Sequence, residues 1–314
     1  MGRVKEWAFD EAEKFIDDTV KKVKDGIITQ GEAIETVKEN SLVKTFFNDD
    51  EIELMIEHDL EYWKKVFQIW TRIETFSMTD SRVPPQINSF ESLIFNHLQK
   101  NWTLKKAKKS TGGGITKKNS KMPFYNYDLS AKDCVKGSIL REVKGSVCEK
   151  CYADTGNYNF PSVKLSHKYH LKSLENGFEW SVAMAYQILK TKTKYFRFHA
   201  SGDLQSLDHA IQIINLAKLT PSCKYWIPTR ETGILKELKD KNIDVPKNCI
   251  FRVSAPLIDG HLNSKVFKNV SSVISDRKFA KGINICPSLK QGGKCLDCRN
   301  CWNTKIKNIN YLLH

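Results

Sequence analysis

Apolar residues recur at three- and four-residue steps through WAFDEAEKFIDDTVKKVKD and again through DDEIELMIEHDLEYWKKVFQIWTRIETF. That period predicts three or four amphipathic helices in residues 1 to about 80. Asn48, Asp49 and Asp50 supply an N-cap cluster for the long helix, and Asp25-Gly26 ends the first. Trp63, Phe67 and Trp70 fall at helical spacing and read as a packing stripe, and Pro84-Pro85 break the pattern. From residue 123 the runs become short and β-rich, which predicts strands over Tyr195–His199, Lys224–Pro228, Cys249–Val253, Ser272–Ser275 and Ile283–Cys286. Helices are expected between them, most clearly over Ser206–Leu219 and Gly233–Lys239. Strand and helix in alternation imply a parallel sheet, open or rolled. The expected architecture is α/β: a helical N-terminal region over 1–100, a basic Gly/Lys-rich loop over 101–122, and a partial (β/α) TIM-like barrel over 123–314 ending in a four-cysteine metal loop.

The carboxyl ends of strands form the active face of such sheets, and here those ends are polar. The first expected strand runs into His199-Ala200-Ser201-Gly202-Asp203, the second into Thr229-Arg230-Glu231, the third into Ser254-Ala255-Pro256. Ser, Gly and Asp also serve as ordinary turns and caps. Several such ends on one face favour a site.

Cysteine placement changes the picture most. Seven of the nine cysteines form two sets, Cys134, Cys148, Cys151 and Cys286, Cys295, Cys298, Cys301, spaced Cys-x13-Cys-x2-Cys and Cys-x8-Cys-x2-Cys-x2-Cys. Closely spaced thiolates from a short loop suit zinc or an iron-sulfur cluster, and spacing does not separate the two metals at the four-cysteine set. Three thiolates suit a cluster that leaves one iron open. A disulfide framework belongs to short secreted chains, and the start MGRVKEWAFDEAEK carries no apolar signal segment. Cys223 and Cys249 lie in apolar surroundings and read as core. No run is long enough to cross a bilayer, so a reducing compartment, the cytoplasm, is expected, with no membrane partner.

Of the 314 residues 40% are hydrophobic, enough for a core, and the formal net charge is +14. A field of that sign favours a polyanion, DNA or RNA, although lysine is widely spread. The densest basic text is KNWTLKKAKKSTGGGITKKNSK. Lys105, Lys106, Lys108, Lys109, Lys117, Lys118 and Lys121 are its candidate phosphate contacts, on an expected mobile loop.

The segment Gly145-Ser146-Val147-Cys148-Glu149-Lys150-Cys151-Tyr152-Ala153 resembles the end of the cluster loop of radical S-adenosylmethionine enzymes. In that family it follows the first barrel strand, and the next strand ends in a glycine-rich turn with an acid that holds the cofactor's amine. The resemblance implies a [4Fe-4S] cluster on Cys134, Cys148 and Cys151, S-adenosylmethionine as cofactor, and an auxiliary cluster on the second set. Lys144 stands where the family's usual first cysteine would be, so Cys134 serves from a longer loop. By the same resemblance Asp203 binds the amine, with Ser201, Gly202, Thr229 and Ser254 lining the pocket. His199 and Arg230 are the candidates for substrate contact.

The texts SKMPFYNYDLSA, SVCEKCYADTGNY, FRFHASGD and GGKCLDCRNCW together resemble the phage gene product 88 domain family, over roughly 110 to 305. That implies a phage or prophage origin, and so a host cell's cytoplasm, without a settled activity. The tail KCLDCRNCWNTKIKNINYLLH also resembles the zinc loop of tRNA-guanine transglycosylases and their DNA-acting relatives. In that case Cys295, Cys298 and Cys301, with Cys286 or His314, hold zinc and Asp203 is the nucleophile. A third possibility is a zinc-stabilised nucleic-acid-binding protein with no catalysis. Oligomeric state stays open.

Overall fold

The computed structural model describes residues 2–45, 47–50, 52–53, 56–57, 94–96, 98–116 and 121–313. Trp63, Phe67, Trp70, Pro84, Pro85, Lys117, Lys118 and His314 lie outside them. Contacts divide the chain into two units, Met1–Arg82 and Val83–His314.

The first unit contains α1 (Gly2–Lys24), α2 (Gln30–Glu39) and α3 (Ser41–Lys44). Ala12, Ile16 and Val20, four residues apart, line one face of α1 and bury themselves in a cluster with Val37, Val43, Ile52 and Ile56. Gly26, at φ +70°, lets the chain turn after α1 as expected. Thr29 then starts α2 with a capping box, its hydroxyl accepting from the Glu32 amide at 3.3 Å while Glu32 accepts from the Thr29 amide at 2.7 Å.

In the second unit a six-stranded, all-parallel sheet runs in sequential order: β1 (Tyr125–Tyr127), β2 (Tyr195–Phe198), β3 (Lys224–Thr229), β4 (Cys249–Ser254), β5 (Val270–Ile274) and β6 (Asn308–Leu312). Parallel neighbours need crossovers, supplied by α5 (Val135–Arg141), α6 (Pro161–Ser173) and α7 (Phe178–Thr191) before β2, α8 (Leu207–Leu219) before β3 and α9 (Thr232–Asp240) before β4. The period of two gives the sheet unlike faces. One buries Tyr127, Phe196, Phe198, Tyr225 and Ile227, with the Trp180 ring of α7 5.5 Å from Tyr127 and 6.1 Å from Phe198. The other places Arg197 beside Trp226 and carries Arg252 and Tyr311, and the C-terminal cysteine loop covers it. Cys223 and Cys249 are buried, as read from the sequence.

Two expectations need correction. Ile283–Cys286 is not a strand of the sheet: only Ile285 bridges to Asn310, and β6 occupies the place beside β5. The basic segment is not simply a loop. Leu104–Ser110 forms α4, capped by Thr103 and anchored by Ser110, whose hydroxyl donates to Glu179 at 2.7 Å. Beyond it Thr116 pairs with Asn126 of β1. Ala107 and Ser110 face inward while Lys105, Lys106, Lys108 and Lys109 face out, so an amphipathic turn was hidden in the lysines.

Candidate metal centres at the strand ends

The first cysteine set lies in the connection that leaves β1. Ser130 caps the 3-10 turn Ala131–Asp133, and Cys134 caps α5, where its carbonyl accepts the Ser138 hydroxyl at 2.6 Å. Glu231, just beyond β3, accepts the amide of Lys136 at 2.7 Å, so a carboxylate from the sheet end satisfies an orphan donor of α5. Farther along, the Ser146 hydroxyl accepts the amides of Cys148 and Glu149 at 3.1 and 3.0 Å. The Val147 amide donates to Pro256 beyond β4 at 2.9 Å, and the Tyr152 hydroxyl donates to the Ala200 carbonyl beyond β2. One loop is thus tied to the ends of β2, β3 and β4.

Gly137 shows how closely the sulfurs approach. A Cβ at that position would lie 2.7 Å from the Cys134 Cβ, 3.5 Å from its Sγ and 3.9 Å from the Cys148 Sγ. Both sulfurs therefore lie within 4 Å of one point beside α5, where a methyl would crowd the Cys134 Cβ. Burial pushes the Cys134 thiol up to about 12, and the charges of Asp203, Cys151 and Cys148 add to the rise. Cys148 rises for the same first reason, opposed by Arg230. Ionising these thiols together without a cation is unfavourable, which a bound metal ion reverses. Among the described residues no three His, Cys, Asp or Glu side chains already stand as a metal-holding group. The donor set nonetheless suits a soft metal centre: thiols from one loop, two of them with sulfurs within 4 Å of one point.

Asp203 is 5% exposed and joins this set. Its Oδ1 accepts the Leu204 amide at 2.7 Å and its Oδ2 the Arg230 amide at 2.8 Å. Burial lifts its carboxyl to about 6, with the Thr229 hydroxyl and these amides opposing. Gly202 has φ +85°, and a Cβ there would meet the Leu129 Cβ at 2.6 Å, so glycine alone lets the β2 end press on the β1 end. Ser201 fastens the same junction, donating to the Leu129 carbonyl at 2.7 Å. Thr229 accepts the Glu231 amide at 3.0 Å, and the Ser254 and Ser271 hydroxyls pair at 3.2 Å. Arg230 keeps a buried Nε without a partner among the described residues. His199 is held elsewhere: at φ +57° its buried ring turns to His209, 5.3 Å between centroids, and both ring nitrogens lack partners. Burial, His209 and Arg197 keep it neutral.

The second set sits between β5 and β6, against the other sheet face. The Cys286 amide donates to Asn310 at 2.8 Å and the Cys295 amide to Lys121 at 2.9 Å. Trp302 donates from its indole to Phe196 at 2.9 Å and packs with Phe124 and Trp226, with Cys295, Cys301 and Tyr311 around them. The Cys301 thiol, 3.3 Å from the Tyr311 hydroxyl, is pushed up to about 12 by burial. Arg252 is fully buried, yet its guanidinium donates only to carbonyls, of Val270 and Ile306 at 3.1 and 3.2 Å and of Asn303 at 3.3 Å. Burial lowers its pKa, and the opposing charges are Tyr311 and Cys301. Among the described residues no carboxylate pairs with it. A buried cation without an anion is costly, and ionised thiols beside it would supply the missing charge.

Asp128, Gly137, Arg197 and Arg252 had no place among the residues singled out in the sequence, and Glu231 stood there only as part of a polar strand end. Asp128 is buried at the β1 end, where its Oδ1 accepts the Ala200 amide at 2.6 Å; burial lifts its carboxyl to about 6 against the pull of Arg197. Of these only Gly137, a lone glycine in a helical pattern, gave a local signal.

The basic candidates Lys105, Lys106, Lys108, Lys109 and Lys121 are exposed. Lys106 lies over the Trp102 ring at 5.2 Å. Among the described residues no helix is long and apolar enough to cross a membrane. No curated protein and no solved structure matches the chain. A family model described as gene product 88 does match, over residues 100–304, and on that match the chain belongs to the gene product 88 family.

Proposed function

We propose that this chain is an iron-sulfur enzyme of the radical S-adenosylmethionine type that modifies a nucleic acid or nucleotide, on a sheet that forms a partial (β/α) barrel. One observation carries the reading. The Cys134 and Cys148 sulfurs lie within 4 Å of one point in the loop after β1, and Asp203 and Arg230, from the ends of β2 and β3, are among their charged neighbours. Cys134, Cys148 and Cys151 would hold a [4Fe-4S] cluster with one open iron. The cluster with its cofactor would supply one-electron reductive cleavage of a carbon-sulfur bond.

The chain's own residues position and exclude. Two amides fix the Asp203 carboxylate and leave lone pairs for an ammonium group. Arg230 brings a positive charge to the same place, suited to a carboxylate. Ser201 and Gly202 set the height of that turn against β1. Glu231 locks α5, and so Cys134, to the end of β3. At the second set Arg252 would neutralise part of a tetrathiolate centre, auxiliary iron-sulfur or zinc. The exposed lysines of α4 would attract the polyanion.

The test is cofactor cleavage by reduced protein handled without oxygen. Wild type should release 5′-deoxyadenosine, and Cys148→Ala should release none while keeping its fold. Iron-loaded wild type that releases none refutes the reading. Asp203→Asn should weaken cofactor binding.

A further inference from the structure

A cavity of about 300 Å³ opens beside the first cysteine set, walled by the turn before Cys134, the segment after Cys151 and α6. Its volume is at the lower end of small-ligand sites. Lys132, Lys164 and Lys168 line it, the last two one helical turn apart on α6. Asp133 and Asp154 line it too, but Asp154 is paired with Arg141 at 3.0 Å. No carboxylate pairs with the three lysines among the described residues, so the lining is left net positive.

His167 is the second, independent observation. It lies on the same wall, 7% exposed, and its ring nitrogens are not among the fully buried polar atoms that lack a partner. Its ring is 6.4 Å from those of Tyr158 and His170, and burial keeps it neutral although Asp133 opposes this. An imidazole on the wall of a cavity can hydrogen-bond a ligand that enters it. The lysines are at the mouth, the imidazole and the Tyr158 ring deeper in.

We infer that this cavity is a phosphate subsite for a nucleotide, in which Lys132, Lys164 and Lys168 bind the phosphate oxygens and His167 hydrogen-bonds the ligand. This deepens the proposed function, because the subsite borders Asp133 and Ala153, next to Cys134 and Cys151 in the chain. The phosphate would belong either to a free nucleotide or to a polynucleotide chain.

The test is equilibrium binding to the purified full chain, with adenosine monophosphate, adenosine and a short single-stranded oligonucleotide as probes. Adenosine monophosphate should bind more tightly than adenosine. Lys164→Gln/Lys168→Gln should lower its affinity about tenfold or more, from the loss of two charge-assisted contacts. The control Lys239→Gln, on α9, should leave it unchanged. His167→Phe should weaken binding more than His167→Gln. Tighter binding of the mononucleotide identifies a free nucleotide; an oligonucleotide that binds more tightly and is lost in the same double variant identifies a chain phosphate. Both uphold the subsite. Equal binding of adenosine and its monophosphate, no binding of any probe, or full affinity in the double variant overturns it. Cluster content does not enter these measurements. A protein that binds through these lysines but holds no iron refutes the proposed function alone, and one that holds iron but ignores the lysines refutes the subsite alone.

Discussion

Gly137→Ala separates a metal site from a fold. Gly137 lies inside α5, where alanine is normally favoured over glycine by about 1 kcal/mol. The new methyl, however, would stand 2.7 Å from the Cys134 Cβ and 3.5 and 3.9 Å from the two sulfurs. Relieving the first contact means moving Cys134, the cap residue of α5, at about 1–3 kcal/mol of overpacking. Gain and loss nearly cancel, so net destabilisation should be about 0–2 kcal/mol, a shift of a few degrees in Tm. The metal is far less tolerant, because ligand distances must hold to about 0.2 Å. Far-UV circular dichroism and thermal melting should therefore look close to wild type while metal at the first set is lost and metal at the second set stays. A Gly137→Ala protein with wild-type metal content and cofactor cleavage would refute the placement of the first centre between Cys134 and Cys148.

Three other outcomes follow from the geometry. Asp128 is lifted to about 6 by burial, so the folded state holds its proton above the pH at which the unfolded chain releases it. Its contribution to stability is then highest below about pH 4 and falls by about 3 kcal/mol as pH rises through about 6; Asp203, lifted likewise, adds a similar fall, so urea midpoints of metal-free protein should show both and Asp128→Asn should remove about half of the slope. Arg252→Met takes one donor from each of three carbonyls, of which Ile306 and Asn303 keep another, and removes a buried cation beside Cys301; it should cost about 3–5 kcal/mol in denaturant unfolding of the loaded protein. A loss below about 1 kcal/mol would show that the thiols there carry no charge for it to balance. Replacing Lys105, Lys106, Lys108 and Lys109 with alanine should weaken single-stranded DNA binding and reduce its salt slope by up to about 3; an unchanged slope rules out α4 as the contact.

Much of the sheet was legible because β2, β3, β4 and β5 are short apolar runs, the first three of them set off by clear helices. β1 was not, since three residues are too few to show alternation. β6 was hidden in the tail by Asn308 and Asn310, whose amides bind the loop at Lys281 and Asn284. The expected strand at Ile283–Cys286 was displaced for the same reason: Asn310 takes that backbone as a single bridge. In the site, the cysteines, Asp203 and Arg230 could be read from spacing and strand ends. The role of Glu231, named only as part of a strand end, could not, because it caps a helix 95 residues away in sequence, and no local pattern reports such a contact. Arg252 reads as an ordinary strand residue until the opposite face is seen to be filled by thiols and indoles. His199 looked like a member of the polar strand end, but its left-handed backbone turns it back into the core.

The central claim is that these thiols hold iron and sulfide. Its most direct test is the iron, zinc and acid-labile sulfide content of protein purified without oxygen, together with its visible absorption. Iron and sulfide in equal amounts, at least about four of each per chain, in a brown protein is the predicted result. Zinc alone in a colourless protein contradicts it.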